Sequence, residues 1–305
     1  MNWYGLVQSQ CNLIELIFNH MNTHDGLGIN RREFIRNTTL GITGATLAMS
    51  AGGALAAQNA AKIPVGLQLY SIREQCKKDL PGMLAAVSKM GYKGVEFAGY
   101  YDHSAKDLRK MLDDNGLVCC GTHTPYDSVQ PGKVKATVEF NQTIGNKYLI
   151  VPWMTGKTKE EWLAKAKEFN EINEKVKGDK MVVGYHAHAH DFDKFDGETA
   201  WDLFFGNTKA EVVMQLDTSN CMAGGANPVA VLKKYPGRAT TIHLKAHGGG
   251  PEAVIGEDKV DWKDVFSFCE GPGKTEWYIV EHESSKDPLD AVKRCFEALK
   301  KMGKV

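Results

Sequence analysis

The sequence Val182-Val-Gly-Tyr-His-Ala-His-Ala-His-Asp-Phe192 joins a short apolar run to three histidines at alternate positions. In an extended strand, residues two apart point to the same face. His186, His188 and His190 would therefore share one side of the chain, just beyond a buried strand. Neutral imidazole is the commonest protein ligand for metal ions, so the stretch indicates a metal-binding or catalytic site. A histidine-rich surface loop, or histidines hydrogen-bonded within a core, would give the same pattern.

The composition is that of a globular chain with no net charge. Its 305 residues include 37 basic and 37 acidic side chains, and 43% of the residues are hydrophobic. A nucleic-acid-binding surface usually shows as an excess of basic residues, so the balanced charge argues against a nucleic acid partner. The length suits one large domain or two small ones.

The first sixty residues differ from the rest, and we expect residues 1–60 to be a signal segment and linker. Arg31 and Arg32 precede an uncharged run, Leu40–Ala57, that ends in Ala54-Leu55-Ala56. Charge, a mildly apolar run and small residues, in that order, are typical of an export signal. The paired arginines, followed by Phe34, resemble the twin-arginine type of signal, which predicts a periplasmic protein.

Two other interpretations of this segment are an N-terminal helix of the mature fold and a short membrane anchor. The glycines of Leu40–Gly53 weaken a helix, and the run is too short and too weakly apolar to span a membrane firmly. We therefore expect no stable membrane span after processing.

Seven cysteines are scattered along the chain without a dense framework. No Cys-x-x-Cys pair occurs, so we expect no cysteine-based zinc site. Cys119 and Cys120 fall in a predicted buried strand, where thiols usually behave as small hydrophobic groups. Export would allow disulfides, and the sequence leaves their state open.

Beyond residue 60, short apolar runs alternate with helical patterns in eight successive units. Apolar strands that alternate with helices imply a parallel sheet that is buried on both faces. Eight units in roughly 250 residues is the size of a (β/α)8 TIM barrel, and we expect residues 61–305 to form one. An open doubly wound sheet is the alternative, but no Gly-x-Gly-x-x-Gly follows the first strand. The predicted strands are 65–70, 94–98, 117–121, 148–151, 181–185, 211–216, 239–242 and 277–280.

One polar residue directly follows each of the last four predicted strands, and the four residues are His186, Asp217, His243 and Glu281. They are 31, 26 and 38 residues apart, about one strand–helix unit each. In a parallel barrel the carboxyl ends of all strands open at one mouth, where barrel enzymes keep their catalytic groups. Two imidazoles and two carboxylates there fit a divalent metal ion, and mixed nitrogen and oxygen ligands favour Mn²⁺, Zn²⁺, Co²⁺ or Fe²⁺. Singly, Asp217 could cap a turn, His243 could be a core histidine and Glu281 could pair with Lys245.

Five segments of the chain carry a resemblance to a known family. They are Gly94–Gly99, Tyr185–Phe192, Met214–Cys221, Pro236–Lys245 and Val280-Glu281. Together they resemble the sugar phosphate isomerase/epimerase family, which belongs to the xylose-isomerase-like TIM barrels, over nearly all of residues 63–305. The resemblance implies a divalent ion held by groups from strands five to eight, here His186, Asp217, His243 and Glu281. Related epimerases usually place Glu at the strand-five position as a ligand and second acid/base, so His186 weakens the expectation of a two-carboxylate epimerisation.

Three residues are candidates for catalysis at this mouth. Glu281 follows strand eight, and Glu96 ends strand two, where it could act as a general base or accept a hydroxyl. Lys245 follows strand seven and could hold a carbonyl or phosphate oxygen. The plainer role for Glu96 is a salt bridge with Lys93 or Arg73.

Four further residues are candidates for substrate binding. His123 follows strand three and could bind a sugar hydroxyl, or it could orient a ligand. His188 could bind substrate or take the place of His186. Trp153 and Tyr70 could supply apolar faces for a sugar ring, or they could only pack a lid.

A divalent ion beside a carboxylate predicts proton transfer next to a carbonyl group of a carbohydrate. The ion polarises the carbonyl, a positioned base removes the adjacent proton, and nearby cations stabilise the negative charge. Return of the proton gives isomerisation or epimerisation, which we expect here, whereas loss of a β-substituent would cleave a keto-glycoside. A non-catalytic, exported carbohydrate-binding barrel would fit the same residues, and phosphodiester cleavage, as in related endonuclease barrels, is a third possible function. Neutral charge and export disfavour DNA as the substrate.

Overall fold

The computed structural model describes residues 62–305, and the predicted signal segment and linker, residues 1–60, lie outside the described residues. One eight-stranded sheet organises the described part. Its strands are β1 (Val65–Gln68), β2 (Gly94–Phe97), β3 (Val118–His123), β4 (Tyr148–Val151), β5 (Val182–His186), β6 (Val213–Gln215), β7 (Thr241–Leu244) and β8 (Trp277–Val280).

The sheet is parallel and closes on itself. The strand order is β6-β5-β4-β3-β2-β1-β8-β7, with parallel pairing throughout. The two end strands meet through a parallel bridge between Asp217 and His243. The His243 N–H donates to the Leu216 carbonyl at 2.9 Å, and the Met214 N–H donates to the Arg238 carbonyl at 2.9 Å. The predicted barrel is therefore confirmed, and the open doubly wound sheet is wrong.

Helices surround the barrel in the predicted alternation. Ser104 caps α2 and Thr158 caps α4, each accepting a backbone N–H with its hydroxyl. The helices are α1 (Arg73–Met90), α2 (Ala105–Asp114), α3 (Val134–Thr143), α4 (Lys159–Lys177), α5 (Ala200–Phe205), α6 (Thr218–Ala223), α7 (Pro228–Lys234), α8 (Trp262–Cys269) and α9 (Pro288–Lys301). A hairpin of Lys194–Phe195 and Glu198–Thr199 lies outside the barrel sheet.

Some boundaries differ from the sequence-based expectation. The first strand stops at Gln68 because its side chain accepts the Tyr70 N–H at 2.9 Å and turns the chain into a 3-10 helix. The sequence pattern predicts the first helix over residues 80–90, but the helix begins at Arg73, and its geometry breaks at Asp79, two residues before Pro81. The short helix α6 was not predicted, because its six residues show no apolar periodicity.

Two separate apolar regions stabilise the barrel. The large outer core lies between strands and helices and includes Trp162, Trp201 and Phe169, all fully buried. A small inner cluster, Tyr148, Ile150 and Val213 with Val182 and Trp277 against it, fills the lower end of the barrel interior. The six cysteines of residues 62–305 are unpaired and buried, and Cys119 and Cys120 are among them, as expected of small hydrophobic groups.

The helices of residues 62–305 were also compared with what a membrane crossing requires. None of them combines sufficient length with sufficient apolar character.

Candidate metal centre and substrate cavity

A cavity of about 700 Å³ opens at the carboxyl ends of the strands. Its walls come from the segments that follow β1, β2, β3, β4, β5 and β8, as expected for the mouth of a barrel. The structure therefore brings six of the predicted site residues to one cavity. They are Tyr70, His123, Trp153, His186, His188 and Glu281.

The four predicted metal ligands converge at the base of this cavity. One ligand atom from each lies within 4.8 Å of those of the other three, and all four residues are buried. Asp217 and His243 are fully buried, while His186 and Glu281 also line the cavity. We call this group the ion site; its members are His186, Asp217, His243 and Glu281.

Asp217 shows most clearly that the ion site suits a cation. It lies just before α6, and its Oδ1 accepts the Asn220 N–H at 2.6 Å, so it is a helix cap. Its other oxygen, Oδ2, is buried without a hydrogen-bond partner. Burial, together with nearby Glu281, raises the pKa of this carboxyl. Because an unpartnered buried carboxylate oxygen is costly, the donor set fits a divalent ion bound at Oδ2.

His243 lies between two carboxylates. Its Nδ1 is 2.5 Å from Glu281 Oε2, and its Nε2 is 2.6 Å from Glu96 Oε2. Burial alone would lower the pKa of His243, but the two carboxylates raise it to about 10. Burial would raise the pKa of Glu281, yet Lys245 and His243 hold it well below its usual value. The site thus keeps Glu281 ionised, and an arriving cation would displace a proton from His243.

His186 has the opposite electrostatic character. Burial and the neighbouring His243 and His123 lower its pKa well below the usual value, so its ring is neutral near neutral pH. A neutral imidazole is the form that binds a metal ion. The Nδ1 of His186 is 3.0 Å from Gln215 Oε1.

Lys245 supplies a partly buried positive charge beside the ion site. Its Nζ lies 4.0 Å from Asp217 Oδ2 and 3.8 Å from Glu281 Oε1, and it donates a hydrogen bond to Glu283. Burial would lower its pKa, but Asp217, Glu281 and Glu283 raise it above the ordinary value. Lys245 therefore stays protonated, so it can stabilise negative charge but cannot act as a base.

Glu96 is placed differently from the general base that was predicted at the substrate. Its side chain is fully buried beneath the histidines and is not among the lining residues of the cavity. Burial would raise its pKa, but His123 and His243 hold it below the usual value. Its carboxylate accepts from Gln68 Nε2 at 2.7 Å and from Gln215 Nε2 at 2.8 Å. This geometry favours a role in orienting the histidines over direct contact with substrate.

A bulge in β3 turns His123 towards the cavity. Val95 pairs with Cys119 and Glu96 pairs with Gly121, so one extra residue interrupts the alternation of β3. A Cβ at Gly121 would lie 2.4 Å from Glu96 Oε1, which shows that this position also faces the interior. After the bulge, Thr122 points outward to bond Asn141 of α3, and His123 points inward. Glycine at position 121 thus leaves room for the Glu96 carboxylate.

An aromatic surface forms one wall of the cavity. Trp153 is 53% exposed, and its ring centroid lies 4.6 Å from that of His188 and 4.3 Å from that of His190. Tyr70 is also exposed and has the Arg73 guanidinium 4.2 Å from its ring centroid. The predicted apolar faces are therefore present at the mouth and open to a ligand.

Three further residues of the site were missed by the sequence analysis. Glu283 lines the cavity and receives a hydrogen bond from Lys245. Gln68 and Gln215 are fully buried and bond to Glu96. A signal for Gln215 was available, because it precedes Asp217 by two residues and so shares its side of the strand.

The comparison with protein families gives a clear result. The chain matches the xylose isomerase-like TIM barrel family over residues 84–302. It belongs to this family, and the resemblance inferred from the sequence is confirmed.

Individual relatives agree with this family but are distant. The inosose dehydratase of Clostridium botulinum (strain Alaska E43) is 24% identical over 260 residues, covering 67% of this chain and 84% of the relative. The inosose dehydratase of Clostridium beijerinckii is 25% identical over 255 residues, covering 68% and 83%. A solved sugar phosphate isomerase/epimerase from Parabacteroides distasonis has a TM-score of 0.70 and 26% identity, covering 79% of this chain and 98% of that chain. The proteins that this chain is similar to therefore include some named inosose dehydratase and one named sugar phosphate isomerase/epimerase.

Proposed function

We propose that this protein is a divalent-metal-dependent isomerase or epimerase that moves a proton next to a carbonyl group of a carbohydrate. The observation that carries the proposal is the ion site, where two imidazoles and two carboxylates converge around an unpartnered Asp217 oxygen at the base of an open cavity. Mixed nitrogen and oxygen ligands favour Mn²⁺, Zn²⁺, Co²⁺ or Fe²⁺.

His186, Asp217, His243 and Glu281 would hold the ion. When bound, a divalent ion supplies Lewis acidity that makes a proton next to a carbonyl group easier to remove. His186 and Glu281 lie on the cavity side of the ion site, so the substrate would approach between them.

Glu281 is the carboxylate best placed to accept the substrate proton. It is ionised because of its neighbours, and it lines the cavity, whereas Asp217 and Glu96 are fully buried. Its Oε2 lies next to His243, and its Oε1 is the oxygen 3.8 Å from Lys245 Nζ. The permanent positive charge of Lys245 would stabilise negative charge that develops on the substrate oxygen.

The remaining walls of the cavity support binding of a sugar. Trp153 offers an exposed aromatic face, and His188 has a buried Nδ1 without a hydrogen-bond partner. An aromatic face with a few polar groups around it is a common design for small-molecule sites. We propose that Trp153 and Tyr70 pack on the ring while His188 and His123 bind hydroxyl groups.

A second candidate reaction is elimination from a keto sugar or keto polyol. The relatives named inosose dehydratase favour it. Dehydration of such a substrate begins with the same proton removal and ends with loss of a hydroxyl instead of reprotonation. His186 at the strand-five position, in place of a second carboxylate, is compatible with a reaction that needs one base.

The test is proton exchange with solvent. Protein loaded with Mn²⁺ or Zn²⁺ should incorporate deuterium from D₂O next to the carbonyl of at least one sugar in a panel of aldoses, ketoses and 3-keto-sugars, as followed by NMR. Epimerisation or isomerisation gives a deuterium-labelled product that is an isomer of the substrate. Elimination instead gives a product that has lost one molecule of water. Binding without exchange across the panel would contradict the proposed enzyme and favour a carbohydrate-binding barrel.

We also propose export to the periplasm, which rests on the sequence of residues 1–60 alone. Expression of the full chain followed by N-terminal sequencing of the periplasmic fraction should show that Arg31 and Arg32 have been removed. A cytoplasmic protein with both arginines retained would contradict this proposal.

A further inference from the structure

A layer of buried polar side chains lies beneath the ion site and takes no part in the proposed reaction. Its members, all fully buried, are Gln68, Glu96, Gln215 and Thr241. We call it the polar layer. Buried polar groups are costly unless their hydrogen bonds are satisfied, so the direction of each bond in this layer carries information.

The directions can be assigned from a backbone group. The Tyr70 N–H can only donate, and its partner at 2.9 Å is Gln68 Oε1. The Gln68 amide nitrogen must then be the atom that faces Glu96 Oε2, at 2.7 Å. Glu96 therefore receives this bond as an acceptor, and no assumption about side-chain flips is needed.

Gln215 is oriented by the same carboxylate. Its Nε2 lies 2.8 Å from Glu96 Oε1 and 3.0 Å from Thr241 Oγ1. The reverse orientation would place an amide oxygen against a carboxylate oxygen at hydrogen-bond distance, which is repulsive. Gln215 Oε1 must then face the histidines, and it lies 3.0 Å from His186 Nδ1 and 3.1 Å from His123 Nε2.

An amide oxygen is only an acceptor, so both of these ring nitrogens must carry hydrogen. We infer that Gln215, held in one orientation by Glu96, fixes the tautomers of two histidines, so that His186 offers Nε2 to the ion and His123 offers Nδ1 to the substrate. This inference deepens the proposed function and rests on its ion site. Gln215 and Glu96 are positioning residues, because they act through the imidazoles.

The assignment also determines which ring nitrogen of His123 faces the substrate. Its Nε2–H is held between Gln215 Oε1 at 3.1 Å and Glu96 Oε2 at 3.2 Å. Its Nδ1 has no hydrogen-bond partner among the described residues, and the side chain lines the cavity. His123 Nδ1 would therefore accept a hydrogen bond from a substrate hydroxyl group in the cavity.

A rival explanation is that the three histidines bind a second ion. His123, His186 and His243 do bring ring nitrogens within 4.8 Å of one another. However, each ring already has a nitrogen bonded to the polar layer: His123 and His186 to Gln215, and His243 to Glu96. The shared acceptors therefore account for the convergence of the three rings.

The test is NMR of the full chain labelled with ¹⁵N in the histidine rings, at mildly alkaline pH and without added metal. Two-bond ¹⁵N–¹H couplings report which ring nitrogen carries hydrogen, and His123→Gln and His186→Gln identify the signals by their loss. We expect hydrogen on Nδ1 of His186 and on Nε2 of His123. The opposite tautomer at either ring in the wild-type protein would overturn the inference.

Two variants distinguish the effect of Gln215 on the histidine tautomers from a general loss of packing in the barrel interior. Gln215→Met keeps the volume but removes the acceptor, so both rings should show mixed tautomers, and Zn²⁺ affinity measured by calorimetry should fall about 10- to 100-fold. Val213→Ala, on the same face of β6 within the inner apolar cluster, should lower the melting temperature but leave the tautomers unchanged. Unchanged tautomers in folded Gln215→Met would contradict the inference. Correct tautomers in a protein that binds no Zn²⁺ would instead contradict the proposed function but leave the tautomer assignment intact.

Discussion

The same strands line both ends of the barrel interior, but their side chains are apolar at one end and polar at the other. At the lower end Tyr148, Ile150 and Val213 pack as an apolar cluster. Two residues further along β6 from Val213, on the same face, Gln215 belongs to a fully buried polar layer with Glu96. Along β6, the side chains that fill the barrel interior therefore change from apolar to polar within two residues.

This difference separates the region that stabilises the fold from the region that would perform the proposed chemistry. The lower cluster needs only shape and volume, whereas each buried polar group at the upper end needs a partner with a defined direction. Within the ion site, Asp217 Oδ2 lacks such a partner, whereas Asp217 Oδ1 accepts the Asn220 N–H. Barrel enzymes keep stability and catalysis at opposite ends in this way. If the two ends are independent, substitutions at one end should change Zn²⁺ affinity and substitutions at the other should change only stability.

The largest expected effect is on metal binding by Asp217→Asn. The substitution removes a negative charge from the ion site but keeps the side-chain oxygen that caps α6. Affinity for Zn²⁺, measured by calorimetry, should fall by more than about 100-fold, beyond the loss typical of outer partners of metal ligands. Unchanged affinity in a folded variant would remove Asp217 from the site.

The next largest effect is the pH dependence of Zn²⁺ affinity. His243 holds a proton because burial is outweighed by Glu96 and Glu281, which raise its pKa to about 10. A bound ion must displace that proton, so affinity should increase with pH across the neutral range, by up to about tenfold per pH unit. Calorimetry in buffers of different ionisation enthalpy should detect proton release. Affinity that is independent of pH would show that His243 is not a ligand.

Gly121→Ala should disturb the polar end of the barrel interior by displacing the Glu96 side chain. The added Cβ would lie 2.4 Å from Glu96 Oε1, so the carboxylate or the strand must move. We expect a loss of about 1–3 kcal/mol in the free energy of unfolding, together with weaker Zn²⁺ binding. Gly132→Ala is a matched control, since its Cβ meets no atom within 4 Å. Equal stability of the two variants would contradict the described packing of Glu96.

Ile150→Val tests the lower end alone. Removing one buried methylene from the inner apolar cluster should cost about 1 kcal/mol in a denaturant titration. Zn²⁺ affinity should not change, because the side chain belongs to the cluster and not to the polar layer. A parallel loss of affinity would show that the two ends are coupled.

The smallest effect on stability is expected at the rim. Trp153 is 53% exposed, so Trp153→Ala should change the free energy of unfolding by no more than about 0.5 kcal/mol. Loss of its proposed contact with the sugar ring should nevertheless raise KM several-fold for a sugar that the enzyme turns over. Unchanged KM would assign Trp153 to packing against His188 and His190 only.

The sequence predicted the barrel and the convergence of the four ion-site residues because both depend on local patterns. Each apolar run ends in or just before a polar residue: His186 is the last residue of β5, and Glu281 directly follows β8. A parallel barrel brings all such positions to one mouth, so no knowledge of long-range contacts was needed.

The polar layer could not be predicted in the same way. Gln215 and Glu96 are separated by 119 residues, and their hydrogen bond depends on the closure of the barrel. The bulge in β3 also lacks a sequence signal, because Cys119-Cys120-Gly121 fits a regular strand equally well. Glu96 was therefore assigned to the substrate, although its partners lie beneath the histidines.

The central claim is that one divalent ion binds at the four-residue ion site. The most direct measurement is a crystal structure after a Mn²⁺ soak, with anomalous diffraction to locate the metal. We expect one peak within about 2.0–2.4 Å of His186 Nε2, His243 Nδ1 and carboxylate oxygens of Asp217 and Glu281. A peak held by His188 in place of His186, a peak among the three histidines, or no ordered ion at this site would contradict the account.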